Sequence, residues 1–248
     1  PIDTTLYTDY HRKLVGKGVI IKFTMFTTRI LSFYKTSGAA KGGVAMITVI
    51  GIGPGGTQDY LFGKAQAAIQ AADLIIGSQR QLEIIPKNKK HKTHLLPRKL
   101  DDLEDFLNDH QKDELVILAS GDPLTYGIGN WLLKRFSGEN LLILPGISSL
   151  QYLFNRLNIP MEDCFITSSH GKSPNFSLIF KLPKVGIVTD KRTGPYQLAQ
   201  EALKLGNDSI FYIGENLSYY DEKIRRYKAS EVPNEDYQMN AVVIINER

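Results

Sequence analysis

The chain has 248 residues, 42% hydrophobic and 23% charged, the composition of a globular protein with a sizeable core. No uninterrupted apolar run approaches the ~20 residues that span a bilayer, which predicts a soluble chain without membrane partners; the single cysteine, Cys164, excludes an intramolecular disulfide and a thiolate metal cluster. The net charge of +4 belongs to the first 45 residues, which hold seven basic residues against Asp3 and Asp9, and the 23 basic and 24 acidic residues that remain leave residues 46–248 close to neutral, without a global attraction for nucleic acid.

Residues 1–45 are rich in Thr, Ser and aromatics and lack the 3.6- or 2.0-residue apolar period of a core element. They end in Ser37-Gly38-Ala39-Ala40-Lys41-Gly42-Gly43, a flexible-linker composition, shortly before Met46 and the first convincing strand. The segment reads as an N-terminal extension outside the catalytic fold. Its composition also resembles an organellar transit segment, and no cleavage signal separates the two readings. The lone cysteine makes a reducing, cytoplasmic setting the default expectation.

From residue 46 onward, strands and helices alternate. The pattern predicts a strand over 46–51, a helix near 59–71, a strand over 73–77, a helix near 101–109, a strand over 115–119, a helix near 127–136, a strand over 141–144 and a helix near 148–157. Fully apolar strands separated by helices indicate a parallel sheet covered on both faces, with ligands at the strands' carboxyl ends. Asn158-Ile159-Pro160 is a breaker and marks a domain boundary. After it come strands near 164–168, 185–189, 209–214 and 239–246 and a helix near 195–205. The expected fold is therefore α/β with an N-terminal parallel-sheet domain over 46–158 and a smaller mixed α/β domain over 159–248.

The first strand runs into Gly51, Gly53 and Gly56, which satisfy the dinucleotide-binding pattern G-x-G-x-x-G. A pyrophosphate loop also needs backbone N–H groups at a helix start and an acid after the second strand for the ribose hydroxyls. Pro54 removes one N–H, several residues separate the loop from its helix, and Asp73 precedes the second strand. The match is therefore a weak phosphate cradle, and a turn that needs glycine for its backbone alone remains an open reading.

Two further loops follow strand ends: Ser120-Gly121-Asp122-Pro123-Leu124-Thr125-Tyr126-Gly127-Ile128-Gly129, and Leu144-Pro145-Gly146-Ile147-Ser148-Ser149. Together they suggest a cleft, although Ser148 and Ser149 are also natural caps for the next helix. The stretches VIGIGPGG…ADLIIGSQRQLE, SGDPLTYGIG, LPGISSLQYLFNRLNIP, SSHGK, VTDKRTGP and YIGENLS, in that order and approximate spacing, resemble the tetrapyrrole (corrin/porphyrin) methylase family over 46–248. Within that family, Gly77-Ser78-Gln79-Arg80-Gln81-Leu82, Ser169-His170-Gly171-Lys172 and Gly214-Glu215-Asn216-Leu217 look most like the branch that methylates C-5 of a precorrin or cobalt-precorrin in cobalamin biosynthesis.

The resemblance implies a two-domain homodimer that binds S-adenosylmethionine in the cleft between domains. Contacts to that cofactor would come from Gly121, Asp122, Tyr126 and Gly127, from Ser148 and Ser149, and from Thr189, Gly214 and Glu215. Gly51, Gly53, Pro54 and Gly55 would line the tetrapyrrole trough. The family pattern usually has Arg where this chain has Lys172, which keeps charge and loses a planar fork for carboxylates. Because the chain ends at Arg248, a separate protein is expected to add the C-15 methyl and remove the carboxyl group.

A sulfonium donor and an electron-rich ring carbon need mainly alignment in a partly dry cleft, which fits a chain without a recognisable nucleophile constellation. Asp122, His170 and Glu215 are candidates for a base that takes a proton after methylation. The acceptor's carboxylate arms make Arg80, Lys172, Lys191 and Arg192 candidate contacts, each weighed against an ordinary solvated charge. The run Lys87-Asn88-Lys89-Lys90-His91-Lys92-Thr93-His94 lacks aromatics for base stacking and further metal ligands, and reads as an exposed loop, so no metal site is expected. Cys164 reads as a small packed residue. Competing functions are methylation of uroporphyrinogen, of a diphthamide precursor or of ribosomal RNA, a nicotinamide-dependent oxidoreductase, and a non-enzymatic binding module.

Overall fold

The computed structural model describes residues 46–136, 140–171 and 173–246. The expectations for residues 1–45 and for Lys172 lie outside the described residues.

Two five-stranded sheets carry the fold. The first uses β1 (Ile47–Gly51), β2 (Leu74–Gly77), β3 (Thr93–Leu95), β4 (Leu115–Ala119) and β5 (Leu141–Leu144), in the order β3-β2-β4-β1-β5, with every pairing parallel. β1 and β4 are buried at every position, which is why ITVIG and LVILA read as continuous apolar runs rather than alternating ones. One face packs Ile50, Ile75, Val116 and Leu118 against α1 (Gly63–Ala71) and α2 (Gln79–Leu82). The other face packs Val49, Ile76 and Ile117 against α3 (Leu100–Asp109) and α4 (Gly129–Leu133).

The connection from β1 passes across β4 to reach β2, while the one from β4 passes across β1 to reach β5. With right-handed crossovers these two leave on opposite faces, so a crevice opens between the ends of β1 and β4.

The second sheet uses β6 (Phe165–Ser168), β7 (Lys184–Val188), β8 (Ile210–Glu215), β9 (Lys223–Lys228) and β10 (Asn240–Ile245), in the order β6-β7-β10-β8-β9. β6 and β7 are parallel, whereas β10 is antiparallel to both of its neighbours and β9 to β8, so the sheet is mixed. α6 (Phe176–Ile179) and α7 (Pro195–Lys204) cover one face through Ile179, Leu198 and Ala202. The other face is covered by α5 (Ser149–Leu157), whose Leu150, Leu153 and Phe154 pack on Ala241 and Val243. α5 thus follows a strand of the first sheet and docks on the second, placing its N-terminus between the two.

Several elements differ from expectation. α1 begins at Gly63, because residues 57–61 form a turn in which Leu61 N–H donates to Gln58 O at 3.0 Å. The lysine run forms a 3-10 helix over Lys87–Lys92, and α2, β3, α6 and β9 were not anticipated. Among the described residues no helix is long and apolar enough to cross a membrane, and no group of three His, Cys, Asp or Glu could hold a metal ion.

Candidate functional site

The ends of β4, β1 and β5 meet backbone to backbone through three glycines. A Cβ on Gly51 would come 2.5 Å from Gly146 N and 2.8 Å from Gly121 O, so side chains are excluded where these strands emerge. Gly53 and Gly121 then form an antiparallel bridge, with Gly121 N–H donating to Gly53 O at 2.6 Å and Gly53 N–H to Gly121 O at 3.2 Å. The two glycine-rich loops of the sequence are therefore one hydrogen-bonded unit.

Asp122 organises the loop after β4. Its Oδ1 accepts from Leu124 N–H at 2.9 Å, Thr125 N–H at 3.1 Å and the Thr125 hydroxyl at 3.1 Å, while Oδ2 accepts from Gly146 N–H at 3.3 Å. Tyr126 takes a left-handed backbone (φ 57°) and sends its hydroxyl to Ile166 O at 3.0 Å, linking this loop to β6 of the second sheet. Ser148 caps α5 by accepting from Gln151 N–H at 3.1 Å, at the helix end that carries the positive end of the dipole.

A cavity of about 1280 Å³ lies beyond these loops. It exceeds the ~300–1,000 Å³ of ordinary small-molecule pockets, leaving room for more than one ligand. The first sheet contributes Pro54, Arg80 and the Ser120–Asp122 and Thr125–Tyr126 loop, and α5 contributes Ser148 and Ser149. The second sheet contributes the segments 188–192 and 234–241. All of these sit at the carboxyl ends of β1, β2, β4, β5 and β7 or beside the start of the antiparallel β10.

Asp190 builds the wall after β7. Its carboxylate accepts from Gly171 N–H at 3.0 Å, Thr193 N–H at 2.8 Å and Arg192 N–H at 3.0 Å, and these backbone donors, Gly171 foremost, hold its pKa below the ordinary aspartate value. Thr189 ties β7 to β10 by donating to the Asn240 side-chain oxygen at 2.6 Å. The opposite wall, 234–240, is fixed from behind. Glu215 Oε1 accepts from Gln238 N–H at 2.9 Å, and its Oε2 pairs with Arg225 Nη2 at 2.6 Å, which also pairs with Glu235 at 2.6 Å. Burial pulls the Arg225 pKa down, but the two carboxylates outweigh it and the net shift is upward. Burial also pushes the Tyr237 hydroxyl up to about 12.

The G-x-G-x-x-G loop does not open on this cavity as a phosphate cradle would. Nine residues separate Gly53 from the first residue of α1, and the N-cap, Phe62, makes no side-chain cap. Gly53 and Gly55 have positive φ (73° and 105°); a Cβ on Gly53 would lie 2.7 Å from Tyr60 Cβ, and one on Gly55 would strike the Tyr219 ring. The space beside these glycines is filled by tyrosines. Asp73 stands at the start of β2, where it accepts from Glu114 N–H at 3.0 Å and lies 3.8 Å from Lys92. Neither feature suits a dinucleotide.

Of the residues singled out from sequence, the structure brings Pro54, Arg80, Gly121, Asp122, Tyr126, Ser148, Ser149, His170, Thr189, Lys191 and Arg192 around the cavity. Gly51, Gly53, Gly55, Gly127, Gly214 and Glu215 do not line it. Gly127 is required where a Cβ would come 2.7 Å from Pro123 O, and Gly214 where one would come 2.7 Å from a Leu217 methyl. Among the three candidate bases, Asp122 and Glu215 have carboxylates committed to N–H and guanidinium partners. His170 is exposed at the cavity, its backbone N–H donating to Ser168 Oγ at 3.0 Å and its ring close enough to Asp190 to interact with that carboxylate electrostatically. Sequence reasoning missed Thr125, Gln197 and the wall 234–238; this last is a polar stretch without period between β9 and β10, and no motif marks it.

The family model describing Tetrapyrrole (Corrin/Porphyrin) Methylases matches residues 46–233. A cobalt-precorrin-7 C(5)-methyltransferase of Salmonella typhimurium is 40% identical over 204 residues, covering 82% of this chain and 100% of the relative. Among solved structures, a cobalamin-biosynthesis precorrin-6Y methylase from Archaeoglobus fulgidus superposes with a TM-score of 0.67 at 22% identity, covering 82% of this chain and 99% of that one. A uroporphyrin-III C-methyl transferase from Thermus thermophilus, solved complexed with S-adenyl homocysteine, gives 0.62 at 17% identity, covering 81% and 97%.

Proposed function

The chain belongs to the tetrapyrrole (corrin/porphyrin) methylase family, and from that premise we propose that it transfers a methyl group from S-adenosylmethionine to C-5 of a precorrin or cobalt-precorrin macrocycle in cobalamin biosynthesis. The observation that carries this reading is the large cleft at the ends of β4, β5 and β7, set beside a nucleotide-like glycine loop that is already filled by Tyr60 and Tyr219.

The residues present fit such a donor. The left-handed Gly121 (φ 66°) lets the loop backbone approach a ligand closely, and a Cβ there would lie 3.4 Å from Ser148 Cα. Ser148, Ser149 and Thr189 line the same cleft, and Asp236, beside the Arg225-paired Glu235, adds an acidic residue to its far wall, suited to hydroxyls and to a cationic donor. When bound, S-adenosylmethionine supplies a sulfonium methyl whose bonding pair returns to sulfur as it leaves, so no protein nucleophile is needed. The protein's part is to hold donor and acceptor in line and to exclude water. His170, open to the cavity, is the candidate that can take the proton released from the ring.

The same reading has the chain working as a cytoplasmic homodimer. Titration calorimetry of the full chain with S-adenosylhomocysteine and with NAD, followed by methyl transfer to cobalt-precorrin-7, tests it. Saturable S-adenosylhomocysteine binding and a product heavier by one methylene are expected. Binding of NAD with no response to S-adenosylhomocysteine would overturn it.

A further inference from the structure

Among the described arginines only Arg80 and Arg225 are half-buried, and they are treated in opposite ways. Arg225 lies behind the cavity wall and carries two carboxylates, Glu215 and Glu235. Arg80 lines the cavity, and no carboxylate among the described residues pairs with it. Its partners are a ring and a thioether: the guanidinium carbon lies 5.3 Å from the Tyr219 ring centroid, and Nη1 donates towards Met239 Sδ at 2.7 Å. A guanidinium held by a π face and a soft sulfur keeps most of its donors, in a planar fork, for an anion.

The support is built from both sheets. Arg80 stands on α2, a one-turn helix fixed by a capping box in which Ser78 Oγ accepts from Gln81 N–H and Gln81 Oε1 accepts from Ser78 N–H at 2.7 Å. Gln81 in turn donates to Ser120 Oγ at 3.0 Å, tying α2 to the loop after β4. Tyr219 comes from the turn after β8 and is seated on Gly55, with Ser218 Oγ donating to Gly55 O at 2.6 Å. Gly55 lacks a side chain, so Tyr219 can lie there, and Tyr219 lies there under Arg80.

We propose that Arg80 receives one carboxylate arm of the acceptor macrocycle and that Tyr219 is the positioning residue that holds it at the cavity; this rests on the tetrapyrrole reading above. The division of charge agrees with it. The 234–238 wall carries Asp236 beside Glu235, and with Glu215 behind it these carboxylates outnumber the one Arg225 guanidinium that Glu215 and Glu235 share, so the wall is net acidic and the arm lies on the Pro54 and Arg80 side, leaving that wall to the cationic donor.

The test is a visible-absorbance titration of the full chain with cobyrinic acid, a corrinoid with free carboxylate arms, and with an amidated corrinoid of the same ring, alongside calorimetry with S-adenosylhomocysteine. Arg80→Met weakens cobyrinic acid by roughly ten- to a hundredfold, the loss of a charge-assisted pair, and leaves the amidated ring and S-adenosylhomocysteine as in the unaltered protein. Tyr219→Leu weakens cobyrinic acid by about two- to thirtyfold, and Tyr219→Phe, which keeps the ring, restores it. Unchanged cobyrinic acid affinity in Arg80→Met overturns the proposal, as does equal loss of the amidated ring or of S-adenosylhomocysteine. Phe no better than Leu at 219 overturns the role of the ring. If the unaltered chain binds S-adenosylhomocysteine but neither corrinoid, the tetrapyrrole reading itself falls, an outcome distinct from failure of Arg80 alone.

Discussion

The hydroxyl of Ser218 donates to the carbonyl of Gly55 at 2.6 Å, fastening the turn after β8 to the glycine loop after β1. Gly55 has φ 105°, and a Cβ there would collide with Tyr219. Gly55→Ala therefore combines backbone strain with a displaced ring, a cost of about 1–3 kcal/mol. Thermal unfolding should show it as a drop of roughly 2–4 °C per kcal/mol for a body of this size. An unchanged melting temperature would mean that the loop is not held by this contact.

The donor cleft can be tested independently of the acceptor. Gly121 joins Gly53 by a pair of backbone hydrogen bonds and faces Ser148 across the start of α5. Gly121→Arg puts a long cationic side chain into the space assigned to a cationic donor at a position whose φ, 66°, disfavours any side chain. Calorimetry should find S-adenosylhomocysteine binding abolished while circular dichroism still reports both sheets. Normal affinity in this variant would move the donor elsewhere in the cavity.

The fold was legible where burial was two-sided. β1, β4 and β10 are apolar almost throughout because both faces are covered, and their bounds fall within a residue or two of the apolar runs. β9 was invisible because Lys223–Lys228 is an edge strand with four basic residues in six, the composition that edges carry to discourage further pairing. The site was half legible for a related reason. Strand-end loops announce themselves by Gly, Pro and Asp, but the partners that decide what each residue does come from far along the chain. Glu215 sits in a motif and reads as functional, yet antiparallel pairing of β8 with β9 brings Arg225 against it and makes it an ion-paired support of the cavity wall. Tyr219 carries no motif signal, and only the fold sets it between Gly55 and Arg80.

Glu222 supplies a pH dependence whose sign follows from its partners. Burial pushes its carboxyl up, but the Ser218 N–H at 2.7 Å, the Tyr152 hydroxyl and Arg156 at 2.8 Å outweigh that, and its pKa lies below the ordinary glutamate value. Because the folded pKa is depressed, the stabilisation is complete above the unfolded value of about 4.3 and is lost as pH falls through the folded pKa. Protonation would loosen the turn that seats Tyr219. Glu222→Gln should lower stability at neutral pH by about 1–3 kcal/mol, from the partners left unsatisfied. It should also lose less stability than the unaltered protein between pH 5 and 3, in ~steps of half a unit, by denaturant melts. Parallel acid limbs for the two proteins would remove Glu222 as their cause.

The lysine run tests whether a charge cluster serves a ligand or the fold. Lys89 Nζ donates to Gln70 O at 2.5 Å and Lys92 Nζ to Ala72 O at 2.7 Å, both at the carboxyl end of α1, while Lys90 Nζ donates to Leu82 O at the end of α2. These carbonyls stand at helix ends, which carry a partial negative charge, and the Leu82 carbonyl also accepts from Ile85 N–H at 3.1 Å. The run is thus a set of ammonium caps for two helix ends, which explains why α1 needs no basic residue in its own last turn. Replacing Lys89, Lys90 and Lys92 together by Ala should cost about 1–3 kcal/mol, since each exposed cap is worth ~0.3–1 kcal/mol. The loss should shrink in molar salt, where such caps are screened. Affinity for S-adenosylhomocysteine should not change, because none of the three lines the cavity. A variant as stable as the unaltered chain in low salt would return these lysines to the solvated charges that their sequence first suggested.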